Sequence, residues 1–201
     1  MKAEAGALHG WVVLDKPKGV TSAAAVAKVR RLLGGVKAGH AGTLDPKATG
    51  LLLICTGAMT KKINDLVGLD KEYTGTFFLG ATTPSFDTET TIDNTVEIGH
   101  LDHEIIRAAT QKFTGTIQQV PPQFSAKLID GKRAYLSARK NKEVKIEPAT
   151  ITIKEFEITR IELPEISFRI VCTKGTYVRA LARDFGEALD CGAYLTSLRR
   201  T

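Results

Sequence analysis

The sequence predicts an α+β fold built on a largely antiparallel sheet. Three observations predict it. Apolar residues alternate with period two in several short runs, most cleanly at Ile166, Phe168, Ile170 and Cys172. Segments of helical periodicity occur without a regular strand–helix alternation, so a wound parallel sheet lacks support. Pro164 separates two strand-like runs, where it marks a hairpin rather than a crossover.

The elements follow in order. Residues 10–15 (GWVVLD) form a short apolar strand, ended by the turn signal Lys16-Pro17-Lys18-Gly19. Thr21 or Ser22 can cap the next helix. That helix runs to about residue 33, with Val26, Val29, Leu32 and Leu33 inward, and Gly34-Gly35 stops it. Residues 37–49 read as a loop, 51–55 as a buried strand and 58–67 as a short helix. Residues 71–79 form a strand, and the polar stretch 82–94 is loop. An amphipathic helix covers 101–113, with Ile105, Ile106, Ala109 and Phe113 inward. Short strands at 116–119 and 124–128 flank Pro121-Pro122. A short basic helix covers 132–140, strands cover 149–163 and 166–172, and a final helix covers 177–189.

The 201 residues suit one continuous core. No apolar run approaches the ~20 residues that cross a bilayer. Residues 1–10 lack the apolar centre of a signal peptide, so the expected location is the cytoplasm. Cys55, Cys172 and Cys191 are widely spaced and form no CxxC pair, which argues against a disulfide framework or a zinc site. Cys55 and Cys172 read as buried structural thiols. The net charge is +6 and unevenly spread. Residues 124–148 carry seven Lys/Arg against three acids, whereas 73–106 carry six acids and no Lys or Arg. One surface should be basic, which suits a polyanionic partner.

Phosphate-binding, dinucleotide-binding, zinc-hydrolase and serine-hydrolase motifs are absent. The four histidines are scattered, so no metal cluster can be argued. What remains is residues 39–50, GHAGTLDPKATG. Its glycines allow sharp turns and close approach of another surface. Asp45 precedes Pro46, which pushes it out of helical geometry and presents its carboxylate on a constrained loop. On this segment alone that pattern fits an Asp-Pro turn with a solvated carboxylate better than a catalytic carboxylate, because Asp is a common turn residue. A carboxylate beside an apolar sheet needs a cation to remain ionised. The second glycine-containing loop, 172–179 (CTKGTYVR), offers Lys174 and Arg179, and the planar fork of Arg179 suits a carboxylate better.

Together these segments resemble the TruB family of pseudouridine synthases, from Gly10 to Arg200 and in the family's order. Lys16-Pro-Lys-Gly-Val-Thr-Ser22 resembles its first motif, and residues 39–50 closely resemble its catalytic motif. Lys71-Glu-Tyr73 resembles the strand bearing the active-site tyrosine. Residues 121–127 (PPQFSAK), with 131–135 (GKRAY) and Ala138-Arg139, resemble the RNA-gripping thumb. Lys174-Gly-Thr-Tyr-Val-Arg179 and Leu198-Arg-Arg200 resemble the third active-site motif and the closing motif.

The resemblance implies a pseudouridine synthase fold, a mixed sheet flanked by helices, in one catalytic domain over 1–201 with a thumb at about 119–149. A C-terminal PUA domain, usual in the family, is not part of these residues. The implied activity is isomerisation of a uridine in the tRNA T-loop, position 55, by base flipping and covalent catalysis. The implied roles are Asp45 as nucleophile, Arg179 as its partner, and Tyr73 stacked on the flipped uracil and serving a later proton transfer. Tyr177 and Val178 line the pocket, Leu198 closes it, His40 fills the space left by flipped bases, and Lys16 supports the loop. Lys127, Lys132, Arg133, Arg139 and Lys140 contact the RNA backbone. No metal and no cofactor are implied, because pseudouridine keeps every atom of uridine. The partner is the tRNA T-arm, with no membrane and no obligatory protein. Where the family often carries a DxDG-like run, this chain has Phe86-Asp87-Thr88-Glu89, so Asp87 stays outside the expected site. A guide-RNA-dependent relative and a non-catalytic RNA-binding protein are the alternatives.

Overall fold

The computed structural model describes residues 8–124 and 145–201, and between them the strands Leu128–Ile129 and Lys132–Arg133. The chain divides into two compact units. One comprises Met1–Tyr73 with Leu198–Thr201, the other Thr74–Ser197.

The first unit is built around β3 (Thr49–Thr56), which contains the run 51–55 expected as a buried strand: Leu52, Ile54 and Cys55 are buried, whereas Leu51 faces outward and is exposed. Strand β1 (Gly10–Lys16) lies antiparallel to it, Gly10 opposite Thr56 and Lys16 opposite Gly50. Strand β2 (Ala38–His40) is also antiparallel to β3, and the end of the last strand, β12 (Ala193–Arg200), runs parallel to it at Arg199 and Arg200. Strand β2 falls within the expected loop 37–49. Helix α1 (Ser22–Leu32) starts as predicted: the Thr21 hydroxyl accepts from the Ala24 N–H at 3.0 Å. Its buried side joins Ala25 to Leu44, Ala48, Leu52 and Ile54 in one core, with Val12, Leu14, Val26 and Val29 around it. Leu32 was expected inward but is 72% exposed. At 100° per residue it lies about a quarter turn from the stripe Ser22–Val26–Val29, which Leu33 continues instead. The expected helix at 58–67 is split into a 3₁₀ turn, Gly57–Lys62, and α2 (Ile63–Gly68).

In the second unit the strands run in the order β12, β4 (Lys71–Leu79), β11 (Glu165–Cys172), β10 (Ala149–Glu162), β7 (Gly115–Gln119). Strands β10 and β11 form the predicted antiparallel hairpin around Leu163-Pro164. The inward sides of these strands meet α4 (Val178–Ala188) in an aromatic core. There the rings of Phe77 and Phe168 lie 4.2 Å apart and those of Phe156 and Phe185 lie 5.3 Å apart. Helix α3 (His103–Ala109) buries Ile106, Ala109 and the following Thr110, an i, i+3, i+4 stripe. Ile105, expected inward, lies beyond the edge of that stripe, about 90° from its centre, and is exposed. Within the expected loop 82–94, strands β5 (Ala81–Thr82) and β6 (Asn94–Thr95) pair at its two ends.

The expected basic helix at 132–140 is corrected at its start. Lys132–Arg133 form strand β9, antiparallel to β8 (Leu128–Ile129). The intervening residues in the sequence are Asp130-Gly131, a strong two-residue hairpin signal. Lys127, Arg139 and Lys140 lie outside the described residues. Cys55, Cys172 and Cys191 are all buried free thiols. Among the described residues, no helix is long and apolar enough to cross a membrane.

Candidate active site

The expected site residues fall into two groups, one in each unit. In the first unit, the residue on each side of Asp45 is pinned. The buried Ser22 hydroxyl donates to Leu44 O and accepts from Leu44 N–H, each at 2.9 Å. Gly19 N–H donates to Pro46 O at 2.7 Å. Asp45 O accepts from Ala48 N–H at 3.1 Å, closing a tight turn. Leu44 itself is 3% exposed and anchors the loop in the core. Asp45 stands between these pins, half-buried.

Lys16 lies under this turn, its side chain fully buried. Its ammonium donates to Val20 O at 2.7 Å, Pro17 O at 3.1 Å and Pro46 O at 3.5 Å. Burial pushes its pKa down, and the Asp45 carboxylate opposes that shift. Tyr73 and Leu198 are half-buried and pack against the core cluster that contains Leu44 and Ala48. The structure therefore brings Lys16, Tyr73 and Leu198 to the foundation of the Asp45 loop. His40 ends β2, and the next residue, Ala41, donates to Leu53 O at 2.8 Å. The buried Nδ1 of His40 has no hydrogen-bond partner among the described residues. Its pKa is pushed down by burial and, secondarily, by the charge of Arg200.

Arg200 is a residue the sequence reading placed only in a closing motif. It is 4% exposed, and its guanidinium donates from Nε to Leu51 O at 2.7 Å and from Nη2 to Gly42 O at 3.2 Å. Two glycines, Gly42 in the loop and Gly50 at the start of β3, are fitted to it. Gly50 has φ +98°, and a Cβ there would stand 2.1 Å from Arg200 O. Gly42 has φ +94°, and its Cβ would stand 3.3 Å from Arg200 Nη1. Both conformations favour glycine, and the close approaches require it at Gly50.

In the second unit, Tyr177, Val178 and Arg179 open α4. Gln119, 1% exposed, accepts from Tyr177 N–H at 2.9 Å and donates to Tyr177 O at 3.1 Å, fixing the half-buried Tyr177 at the helix start. Val178 is 4% exposed and Arg179 5%. Lys174, the other candidate cation, is exposed. The Arg179 guanidinium donates to Phe124 O at 2.9 Å and Ser85 O at 3.2 Å, and its Nε lies 3.6 Å from the Asp87 carboxylate. Asp87 is 4% exposed and also accepts from Ser85 Oγ at 2.7 Å and Glu89 N–H at 2.8 Å. Phe86 adopts φ +60°, unusual for a bulky residue. The structure thus assigns Asp87 to a buried acid–arginine centre from which the sequence reading had excluded it. Gln119 carried no sequence signal either, being an ordinary polar residue at a strand end.

A family model described as TruB family pseudouridylate synthase (N terminal domain) matches residues 30–178. A protein of Flavobacterium johnsoniae named tRNA pseudouridine synthase B is 55% identical, covering 96% of this chain and 88% of that protein. The chain belongs to the TruB family of pseudouridine synthases. A Phocaeicola vulgatus protein of the same name is 53% identical over 93% of this chain and 82% of its own length. A Burkholderia mallei protein of that name is 47% identical over 97% of this chain and 64% of its own. Among solved structures, a Cbf5-Nop10-Gar1 complex superposes with a TM-score of 0.73 at 31% identity, over 96% of this chain and 48% of that one. The TruB-family match bears out the pseudouridine synthase fold and the recognition drawn from the motifs. The chain is a tRNA pseudouridine synthase, an isomerase that converts uridine in tRNA to pseudouridine.

Chemically, the arrangement offers a carboxylate on an immobilised turn and partly exposed apolar surface near its foundation. The carboxylate is that of Asp45, and the surface is that of the half-buried Tyr73 and Leu198. Among the described residues, no cluster of His, Cys, Asp or Glu is arranged to hold a metal ion.

Proposed function

We propose that this enzyme isomerises the uridine at position 55 in the T-loop of tRNA, with Asp45 as nucleophile. The target nucleotide flips out of the loop, and Asp45 forms a covalent bond to it. The C1′–N1 bond breaks, the base turns, and a C1′–C5 bond forms. The C5 proton is lost, N1 gains one, and Asp45 is released. No atom is gained or lost, so the stoichiometry calls for no redox equivalent or second substrate. Tyr73 stacks on the flipped uracil and serves the late proton transfer. Tyr177 and Val178 line the pocket, Leu198 closes it, His40 fills the vacated space, and Lys16 supports the loop. Arg179 is the charge partner of Asp45, a role carried by the sequence resemblance. The thumb, about 119–149 within a catalytic domain spanning 1–201, grips phosphates through Lys127, Lys132, Arg133, Arg139 and Lys140.

The observation that supports this reading best is the immobilisation of the Asp45 turn. Leu44 and Pro46 are both held by hydrogen bonds, and a buried lysine lies beneath. A solvated Asp-Pro turn requires none of this, whereas a nucleophile misplaced by about 1 Å loses on the order of a hundredfold in rate. Relatives near 50% identity named for tRNA support that substrate over a guide-RNA-dependent one. Three reduced, buried cysteines suit a cytoplasmic setting. The decisive experiment incubates the purified chain alone with unmodified tRNA and maps pseudouridine. Modification at position 55 by the wild type is expected. Asp45→Asn should bind tRNA normally and lose turnover by at least about a thousandfold, as removal of a catalytic nucleophile does elsewhere. Substantial turnover by that variant would overturn the assignment.

A further inference from the structure

The segment between Asp15 and Asp45 contains six basic residues (Lys16, Lys18, Lys28, Arg30, Arg31 and Lys37) and no acid. Lys16 is consumed inside the fold. The other five are exposed. Among the described residues they make no ion pair, although Arg160, Arg169, Arg183 and Arg199 each hold a carboxylate. Like charges gathered on one 11-residue helix and the turn after it repel one another, which destabilises the isolated protein. A counter-charge from outside would relieve that repulsion.

The same segment forms a hollow of about 460 Å³ between α1 and β2. Ala23, Val26, Ala27 and Ala38 line it, and Arg30 and Arg31 stand in its wall. Small side chains let a partner's backbone come close, and the two guanidiniums offer planar forks of the kind that bind phosphate. Arg30 spends one donor on Gly35 O at 3.4 Å, which holds its side chain along the hollow. The position is also informative. Ala38 precedes His40 by two residues on β2, roughly 7 Å along the strand. The other end of α1 holds the Asp45 loop through Ser22.

We propose that the α1–β2 hollow is a second RNA-backbone contact surface, separate from the thumb, which seats phosphates of the strand flanking the target loop. It rests on the tRNA reading above and extends it to residues no motif assigns. Arg30, Arg31 and Lys37 make the phosphate contacts, and the alanine-lined floor sets how closely the strand approaches.

Two variants test it with unmodified tRNA in a salt titration. Arg31→Glu combined with Lys37→Glu should lower affinity by about tenfold or more and flatten the log K–log salt slope by roughly two units. Ala27→Trp fills the hollow without altering charge, and should lower affinity while leaving the slope unchanged. Both residues of the double variant and Ala27 are exposed, so thermal melts matching the wild type are expected and serve as the folding control. Single-turnover rates at saturating enzyme should also match the wild type, which separates this surface from the chemistry. Normal affinity and slope in the double variant would overturn the proposal and leave the hollow to a partner other than RNA. Normal affinity in Ala27→Trp would overturn the close-approach part of it. If the wild type modifies tRNA while both variants bind normally, only this inference fails. If the wild type does not modify tRNA, the tRNA reading itself fails.

Discussion

The Asp45 loop and the Arg179 centre use buried cations in opposite ways. In the loop, Lys16 and Arg200 give their hydrogen bonds to backbone carbonyls: Val20, Pro17 and Pro46 for one, Leu51 and Gly42 for the other. In the centre, Arg179 divides its guanidinium between two carbonyls and a carboxylate, Asp87, that is as deeply buried as itself. The first arrangement shapes a backbone. The second fixes a side chain by charge. A loop stiffened through its backbone holds its main chain without drawing on the side chains that it displays.

The comparison predicts that the centre breaks hardest when its acid is neutralised. Asp87→Asn keeps the shape but removes the buried carboxylate that lies 3.6 Å from the Arg179 guanidinium. Breaking such a pair costs about 3 kcal/mol or more. In a chain of this size that lowers the melting temperature by roughly 6–12 °C. Thermal denaturation reads it directly. An unchanged melting temperature would mean that the Asp87 charge adds nothing to the other contacts of Arg179, and the contrast between the regions would vanish.

Gly50→Ala attacks the other region through its backbone. The new Cβ meets Arg200 O, which belongs to a strand and cannot rotate away, and φ is left-handed as well. A loss on the order of 2–3 kcal/mol is expected. Gly42→Ala should cost less, because its Cβ meets only the end of the Arg200 side chain. Equal losses in the two variants would show that conformation, and not the fit to Arg200, sets the requirement for glycine.

His40 gives a smaller and pH-dependent effect. Its folded pKa lies below the ordinary 6.5, chiefly because of burial. The unfolded chain therefore binds the proton first, and stability should decline as pH falls below about 6.5. Urea unfolding at pH 7.5, 6.5 and 5.5 measures the slope, and His40→Gln should remove that component. Arg199→Ala should have the smallest effect of all. The Asp15–Arg199 pair is exposed, and such pairs contribute little. A clear fall in melting temperature would show that charge pairing matters in the loop region too.

The sequence by itself determined the constrained Asp45 loop and the strand that follows it. Asp45 before Pro46, the glycines around it, and the strand that follows are local facts, and local chemistry governs turns and caps. The Thr21 cap and the β10–β11 hairpin were legible for the same reason. The ordered motifs made the TruB resemblance legible as well. Tertiary structure alone decided which polar groups satisfy one another. Asp87 was read as a departure from a motif, yet it is the acid beside Arg179, more than ninety positions away in sequence. Arg200 was read as part of a closing motif, yet it is the reason Gly50 must be glycine. Leu32 and Ile105 were expected inward from helical periodicity, yet each lies beside the buried stripe and is exposed. A buried charge must find its partner wherever the chain returns, and the energy of that pairing depends on distance in space. Sequence separation carries no record of it.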